Sequence, residues 1–296
     1  MPVRYDIVHT TVYRYRQPVT FGEHRVMFRP RDSHDLRVLA TDLDGQPRGA
    51  TVRMIQDPLS NSVALVQPLE QADELQIVCS FTIEHAHATT SSCRCRRAPS
   101  CSRSPTRVEE RYDLEHYLRP YHDDPDGELT AWARQFIRTD GPTGTRDLLV
   151  RDEPAHPRQA SLCRARRGRH ADAAAKRSKL GSGSCRDFAL LMMEAARRLG
   201  VATRFVSGYL YDPALDGGED DGTDRRRLHA RLAAGLPARR AAGCRSTRPT
   251  TCSAAAQLIR VGVARDPSQA APVSGSWFGE SGDYLGMDVN VTVQRR

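Results

Sequence analysis

Three stretches of this chain, 88–107, 152–178 and 224–256, have almost no acidic residues and almost no large apolar ones. Together they carry only 4 of the 36 Asp and Glu residues but 20 of the 44 Lys and Arg. Their large apolar residues are Leu162, Leu228, Leu232 and Leu236, without any Val, Ile, Met, Phe, Tyr or Trp. Segments so composed cannot bury enough surface to offset the entropy of ordering them. The lack of acid also relocates the formal net charge of +8, because the rest of the chain has 24 basic against 32 acidic residues. Arg164 to Arg169 and Arg225 to Arg227 lack the interleaved aromatics of a nucleic-acid groove, so no nucleic-acid partner is expected and an Arg-rich binder stays a lesser alternative. Six of the eight cysteines (Cys93, Cys95, Cys101, Cys163, Cys244 and Cys252) fall in the same stretches. Their irregular spacing lacks the paired Cys-x2-Cys units of a zinc site, so neither a metal nor a cofactor is expected. No apolar run approaches the roughly 20 residues of a membrane span, and Met1 to His9 reads as a strand rather than a secretory leader. A soluble, cytoplasmic protein without a membrane partner is the expectation.

What is present falls into order on either side of these stretches. Residues 1–87 read as a β-rich N-terminal domain, with β-branched and aromatic residues from Tyr5 to Tyr15. Asp44-Gly45 marks a turn between strands starting at Leu36 and Ala50. Leu75, Ile77, Cys79, Phe81 and Ile83 alternate without a break, which puts Cys79 on the buried face of a strand as an inert thiol. The pattern stops after His85, and 88–107 is a linker. Order returns at Val108, and 108–296 is a second unit interrupted at 152–178 and 224–256. Leu129, Trp132, Ala133, Phe136 and Ile137 mark a helix after Asp126-Gly127, and Leu148 to Val150 start another after Thr145.

The centre of the chain is Gly181 to Gly200, a Gly-Ser loop running into an amphipathic helix. Phe188, Leu191, Met192, Ala195 and Leu199 form its apolar face, with Arg186, Arg197 and Arg198 toward the other side. Ser182 or Ser184 can cap the first turn, and Gly200 ends the helix. Cys185 then sits among unpaired backbone N–H groups at the positive end of the helix dipole, which favours thiolate. It is the candidate catalytic residue. The strand from Val201 to Tyr211 should lie beside this helix, and Leu258 to Val263 and Tyr284 to Val293 are further strands. His9, His24, His85, His87, His116 and His122 read as surface or structural residues.

The segment Tyr5 to Tyr15 resembles the start of the β-rich N-terminal region of bacterial transglutaminase-like proteins. Gly181-Ser-Gly-Ser-Cys-Arg-Asp-Phe-Ala189 and Arg204-Phe-Val-Ser-Gly-Tyr209 resemble the cysteine motif and following strand of the papain-type transglutaminase-like core, and Val261 to Gly275 is similar to that family's last hairpin. The resemblance implies an α+β fold: an N-terminal antiparallel β-sandwich-like domain, then a core with the cysteine helix packed on an antiparallel sheet. It also implies a Cys-His-Asp triad acting on a peptide or protein amide, as protease or acyl transferase. In the family the His opens a His-Ala-Trp strand and the Asp follows in an Asp-Pro-Thr segment.

Here His229-Ala230 is followed by Arg231, and no aspartate lies between Asp224 and Asp266. Both missing segments exist in another frame. Ala230 to Arg240, written in permitted codons and read one base later, gives His-Ala-Trp-Leu-Gln-Val-Tyr-Leu-Pro-Gly. Ser246 to Ser253, read one base earlier, gives Phe-Asp-Pro-Thr-Asn-Asp-Leu-Phe. The same shift turns Asp152 to Arg158 into Met-Asn-Gln-His-Ile-His-Ala. Shifted reading of a GC-rich gene also gives high Ala, Arg, Pro, Gly and Cys, so insertions or deletions are inferred to have put the three windows out of frame. The codon for the family's His straddles Ala230 and Arg231, which makes His229 a neighbour by accident. The literal chain is therefore expected to be inactive or nearly so, a dead scaffold being the alternative. Resequencing the gene across the three windows is expected to locate single-base insertions or deletions at their edges; an uninterrupted gene with no shifted codons would overturn the frame reading.

Overall fold

Strand β1 (Val3–Phe21) is the longest element of the structure, a computed structural model describing residues 2–86, 108–137, 139, 185–211 and 258–296. The stretches 88–107, 152–178 and 224–256, the expected caps Ser182 and Ser184, and the helix expected after Thr145 lie outside the described residues. Alternation along β1 turns Tyr5, Ile7, His9, Thr11 and Tyr13 inward, opposite Ile83, Phe81, Cys79, Ile77 and Leu75 of β6 (Ala72–His85). Matched inner positions fix the register, since a one-residue slip would expose every one of them. Strand β3 (Leu36–Gln46) pairs with the other edge of β6. The second sheet runs β4 (Thr51–Gln56), β5 (Ser62–Gln67), β2 (His24–Val26) and β9 (Val273–Ser274). Inner residues of both sheets, among them Ile7, Phe81, Val26 and Ala64, close one hydrophobic core.

Two expectations meet differences here. Strand β3 runs straight through Asp44-Gly45, because Asp44 and Gly45 pair with Val78 and Ile77 of β6; the chain turns beyond Gln46, where Gly49 takes a positive φ of 83°. The sheet assigned to residues 1–87 also takes in residues from the far end of the chain. Strands β10 (Trp277–Phe278) and β11 (Tyr284–Arg295) both pair with the free edge of β1, from Phe21↔Trp277 to Tyr5↔Arg295. An edge strand of β1's length needs covering, and the alternating Val289, Val291 and Val293 supply a matching inner face.

Strands β7 (Phe205–Leu210) and β8 (Leu258–Ala264) form an antiparallel pair whose Tyr209, Ile259 and Val261 enter the same core. Asn61, almost fully buried, clasps β8 as a strand backbone would: its amide donates to Val263 O at 2.7 Å and accepts from Val263 N at 2.8 Å. A register shift falls between Ser207 and Gly208, and a Cβ at Gly208 would lie 2.2 Å from Ile259 O, so the bulge requires glycine. Three described helices complete the fold: α1 (Val108–Leu118), α2 (Glu128–Arg134) and α3 (Cys185–Arg198).

His9 is a polar group inside the sheet core. Its Nδ1 is 2.8 Å from the Tyr209 hydroxyl, its Nε2 is 3.3 Å from Thr11 Oγ1, and its ring stacks on Phe28 with centroids 3.8 Å apart. Burial pushes its pKa down to about 3. The folded pKa lies below the ordinary value near 6.5, so the unfolded chain takes the proton first as pH falls. Stability is full above about pH 6.5 and declines by roughly 1.4 kcal/mol per pH unit down to about pH 3. Denaturant titrations are expected to show a loss of about 2 kcal/mol between pH 7 and pH 5 from this group. His9→Gln, which keeps hydrogen-bonding capacity without titrating, should flatten that dependence; an unchanged slope would assign it elsewhere.

Candidate functional site

Cys185, the residue singled out by sequence, is the first residue of α3. The helix lies in the middle of its half of the molecule. Leu191, Met192, Ala195 and Ala196 pack against Leu129 and Ala133 of α2, with Trp132 and Phe136 at the margin. Ala189 and Met193 pack on Phe205 of β7, Ala264 of β8 and Ala270. Arg186, next to Cys185, places its guanidinium carbon 5.9 Å from the centre of the Phe205 ring, a cation–π approach that ties the first turn to β7. At the other end, Gly200 has φ 77°; its N–H donates to Arg197 O at 2.9 Å while Val201 N–H donates to Ala196 O at 3.0 Å. These paired bonds satisfy the last carbonyls of the helix.

The polar face of α3 is where the structure departs from the sequence reading. Arg197 is 2% exposed and Glu194 also 2%. Arg197 donates to Glu194 Oε1 at 2.8 Å, to Thr203 O at 3.0 Å and to Arg265 O at 2.6 Å. Arg198 donates to Glu194 Oε2 at 3.0 Å and to His122 O at 2.7 Å, and its Nε lies 3.4 Å from Asp124. The Glu194 carboxylate also accepts from the backbone N–H groups of Tyr121 and His122, each at 3.1 Å to Oε2. Asp124 in turn caps α2, accepting from Leu129 N, Thr130 N and the Thr130 hydroxyl. One carboxylate thus fastens α3 to the loop after α1, and Arg197 fastens it to both strands at one end of the β7–β8 pair, before Phe205 and after Ala264. A residue pattern with charges at i, i+3 and i+4 reads equally as a solvated face or a buried network, and the sequence signal that separates them is the large apolar face all around it.

The described residues do contain a His–Asp pair. His122 Nε2 lies 3.4 Å from Asp266 Oδ2, and Asp266 caps the short 3-10 helix Pro267–Ala270 in a capping box with Gln269. This pair belongs to the Glu194 end of α3. Nine residues separate Glu194 from Cys185, on the order of 13 Å of helix at 1.5 Å per residue. An imidazole must come within about 3 Å of the proton it removes, so His122 and Asp266 are not placed to serve Cys185. His9 and His24 are buried in the β-rich half, His9 bonded to Tyr209 and His24 to Gly22 O at 2.8 Å, and both are structural. His116 is exposed on α1. His87, His229 and the cysteines at 93, 95, 101, 163, 244 and 252 lie outside the described residues. Cys79 is buried against Phe81 and Ile77 on β6, and burial pushes its thiol up to about 12, which leaves it without thiolate character. No helix among the described residues is long and apolar enough to cross a membrane.

A helix opened by cysteine thus packs on an antiparallel pair of strands, beside a larger β-rich half. The family models agree with it in both halves: a bacterial transglutaminase-like N-terminal region matches residues 5–84, and a transglutaminase-like superfamily core matches residues 160–232. The chain belongs to the bacterial transglutaminase-like family. An uncharacterized protein of Mycobacterium leprae (strain TN) is 26% identical over 306 residues, covering 98% of each chain. In fold, the chain is similar to a crystal structure from Cytophaga hutchinsonii whose assignment as a cysteine protease is provisional, with a TM-score of 0.56, 14% identity, and coverage of 100% of this chain and 91% of that one.

Removing the charge at Glu194 leaves Arg197 buried and unpaired. Glu194→Gln is expected to lower unfolding free energy by about 3 kcal/mol, measured by urea titration at pH 7. A loss under about 0.5 kcal/mol, the range of surface pairs, would mean that the carboxylate does not anchor the helix.

Proposed function

We propose that the chemistry of this chain's family is attack by the Cys185 thiolate on an amide carbonyl of a peptide or protein, and that the chain as written is inactive or nearly so. In the intact reaction the thiolate adds to the carbonyl carbon and a tetrahedral oxyanion forms. Its collapse breaks the C–N bond, the leaving amine takes a proton from an imidazolium, and a thioester remains on the cysteine. Water then releases an acid, or a second amine releases a new amide. Both outcomes share the first half, so protease and acyl transferase are not separated by it.

The observation that supports the thiol reading is that Cys185 opens α3, the helix packed on β7 and β8. Backbone N–H groups at a helix start favour the thiolate and offer donors to a developing oxyanion. What supports the inactive reading is the absence of the partners. Arg231 stands where the His-Ala-Trp segment needs Trp, the sequence has no Asp-Pro-Thr, and the His122–Asp266 pair lies toward the wrong end of α3. Loss of triad members typically costs several orders of magnitude in rate. A scaffold role for the chain as written is the corollary, supported by a core and a Glu194 network that do not depend on the missing segments.

Turnover of a glutamine-amide or peptide substrate is expected to be undetectable with the literal chain and to appear when the His-Ala-Trp and Asp-Pro-Thr frames are restored. Turnover by the literal chain that disappears in Cys185→Ser would sink the inactive reading. Slow carboxamidomethylation of Cys185 in the restored chain, at the rate of an ordinary thiol, would count against the nucleophile itself.

A further inference from the structure

Strand β3 pairs with β6 and strand β4 with β5, and among the described residues neither has a second strand beside it. Two adjoining cavities of about 400 and 450 Å³ lie between these free edges, and Leu43 of β3 and Val52 of β4 line both. The inner faces of the two sheets run out to this opening. Val52 and Met54 stand opposite Val66 and Ala64 of β5, which belong to the core. Directly opposed residues of an antiparallel pair share a face, so Val52 and Met54 point inward. They are nevertheless 45% and 53% exposed. On the other sheet Thr41 and Leu43 stand opposite Phe81 and Cys79 of the same core, and Thr41 is exposed. An unpaired strand edge with uncovered apolar side chains is a template for a further strand.

Charge indicates which strand fits. The outward residues that alternate with these are Asp42 and Asp44 on β3, both exposed, and Arg53 on β4, whose guanidinium has Glu23 only at 4.0 Å. The chain reverses at 47–50, so β3 and β4 run in opposite directions on either side of the opening. A two-fold axis parallel to the strands therefore sets β3 of one copy antiparallel beside β4 of another, at both edges at once. With Leu43 opposite the partner's Val52 and Thr41 opposite the partner's Met54, Asp42 falls opposite the partner's Arg53. An axis perpendicular to the sheets would instead pair β3 with β3 and β4 with β4, bringing like charges together at each edge, which is unfavourable.

We propose that the occupant of this opening is a second copy of the chain, in a two-fold dimer where β3 of each copy adds to β4 of the other and buries Val52 and Met54 at the join. The interface uses neither Cys185 nor the frame-shifted segments, so it stands whether or not the chain is catalytic.

The test is sedimentation equilibrium of the full chain over a range of concentrations, where a monomer–dimer equilibrium is expected. Met54→Lys places a charge in each half of the join and should raise the dissociation constant roughly a hundredfold. Arg53→Glu sets like charges opposite each other and should raise it about tenfold. The swap of Asp42→Lys with Arg53→Glu restores the pair and should return it to within about threefold of the original. Met287→Lys, at an exposed position on β11, should leave it unchanged. Far-UV circular dichroism checks that each variant folds; should Met54→Lys not fold, the Arg53→Glu loss and its recovery in the swap decide alone. A monomer at every concentration, whatever else fills the opening, would overturn the proposal. So would a dimer lost in Met287→Lys but kept in Met54→Lys, or a swap no better than Arg53→Glu alone.

Discussion

The carboxylate of Glu194 takes bonds from two arginines and from the backbone N–H groups of Tyr121 and His122, all in a place with almost no access to water. Isolated, a buried carboxylate is strongly unfavourable. Here each oxygen faces donors, and Nη2 of Arg197 donates to the Thr203 and Arg265 carbonyls. Because those carbonyls flank β7 and β8, the network sets where α3 stands on the strands. It therefore sets where Cys185 stands, although Cys185 takes no part in it.

The β-rich half follows a different constraint. It has two sheets over one core, and each sheet draws on residues from beyond position 270. Strand β9 completes the second sheet and β10 and β11 cover β1. The Asn61 clasp on Val263 and the Tyr209 hydroxyl beside His9 then lock the β7–β8 pair to that core. Helix α3 rests on strands that are themselves part of the packing of that core.

Much of this could be read from residues. The alternation of Leu75 to Ile83 gave both the strand and the buried face of Cys79, and Gly200 gave the end of α3. Other features could not be read because they depend on partners far away in sequence. Arg197 and Arg198 look like a solvated face until Asp124, Thr203 and Arg265 are brought beside them. Asp44-Gly45 looks like a turn until β6 offers it a ladder. The pairing of β11 with β1 follows from no local pattern at all. For the site itself, composition says more than periodicity, since on the proposed reading the acid-poor stretches are where the base and its orienting carboxylate would have stood.

The pairing of β1 with β11 joins residues almost the whole chain apart, Asp6 and Arg296 being 290 positions distant. A ribosome delivers β1 first and β11 last. Throughout synthesis the long edge of β1 is an unpaired row of N–H and C=O groups with apolar residues on one face, the kind of edge that recruits other chains. Every intervening residue thus lengthens the period of exposure, and a stop codon anywhere before Tyr284 would make it permanent.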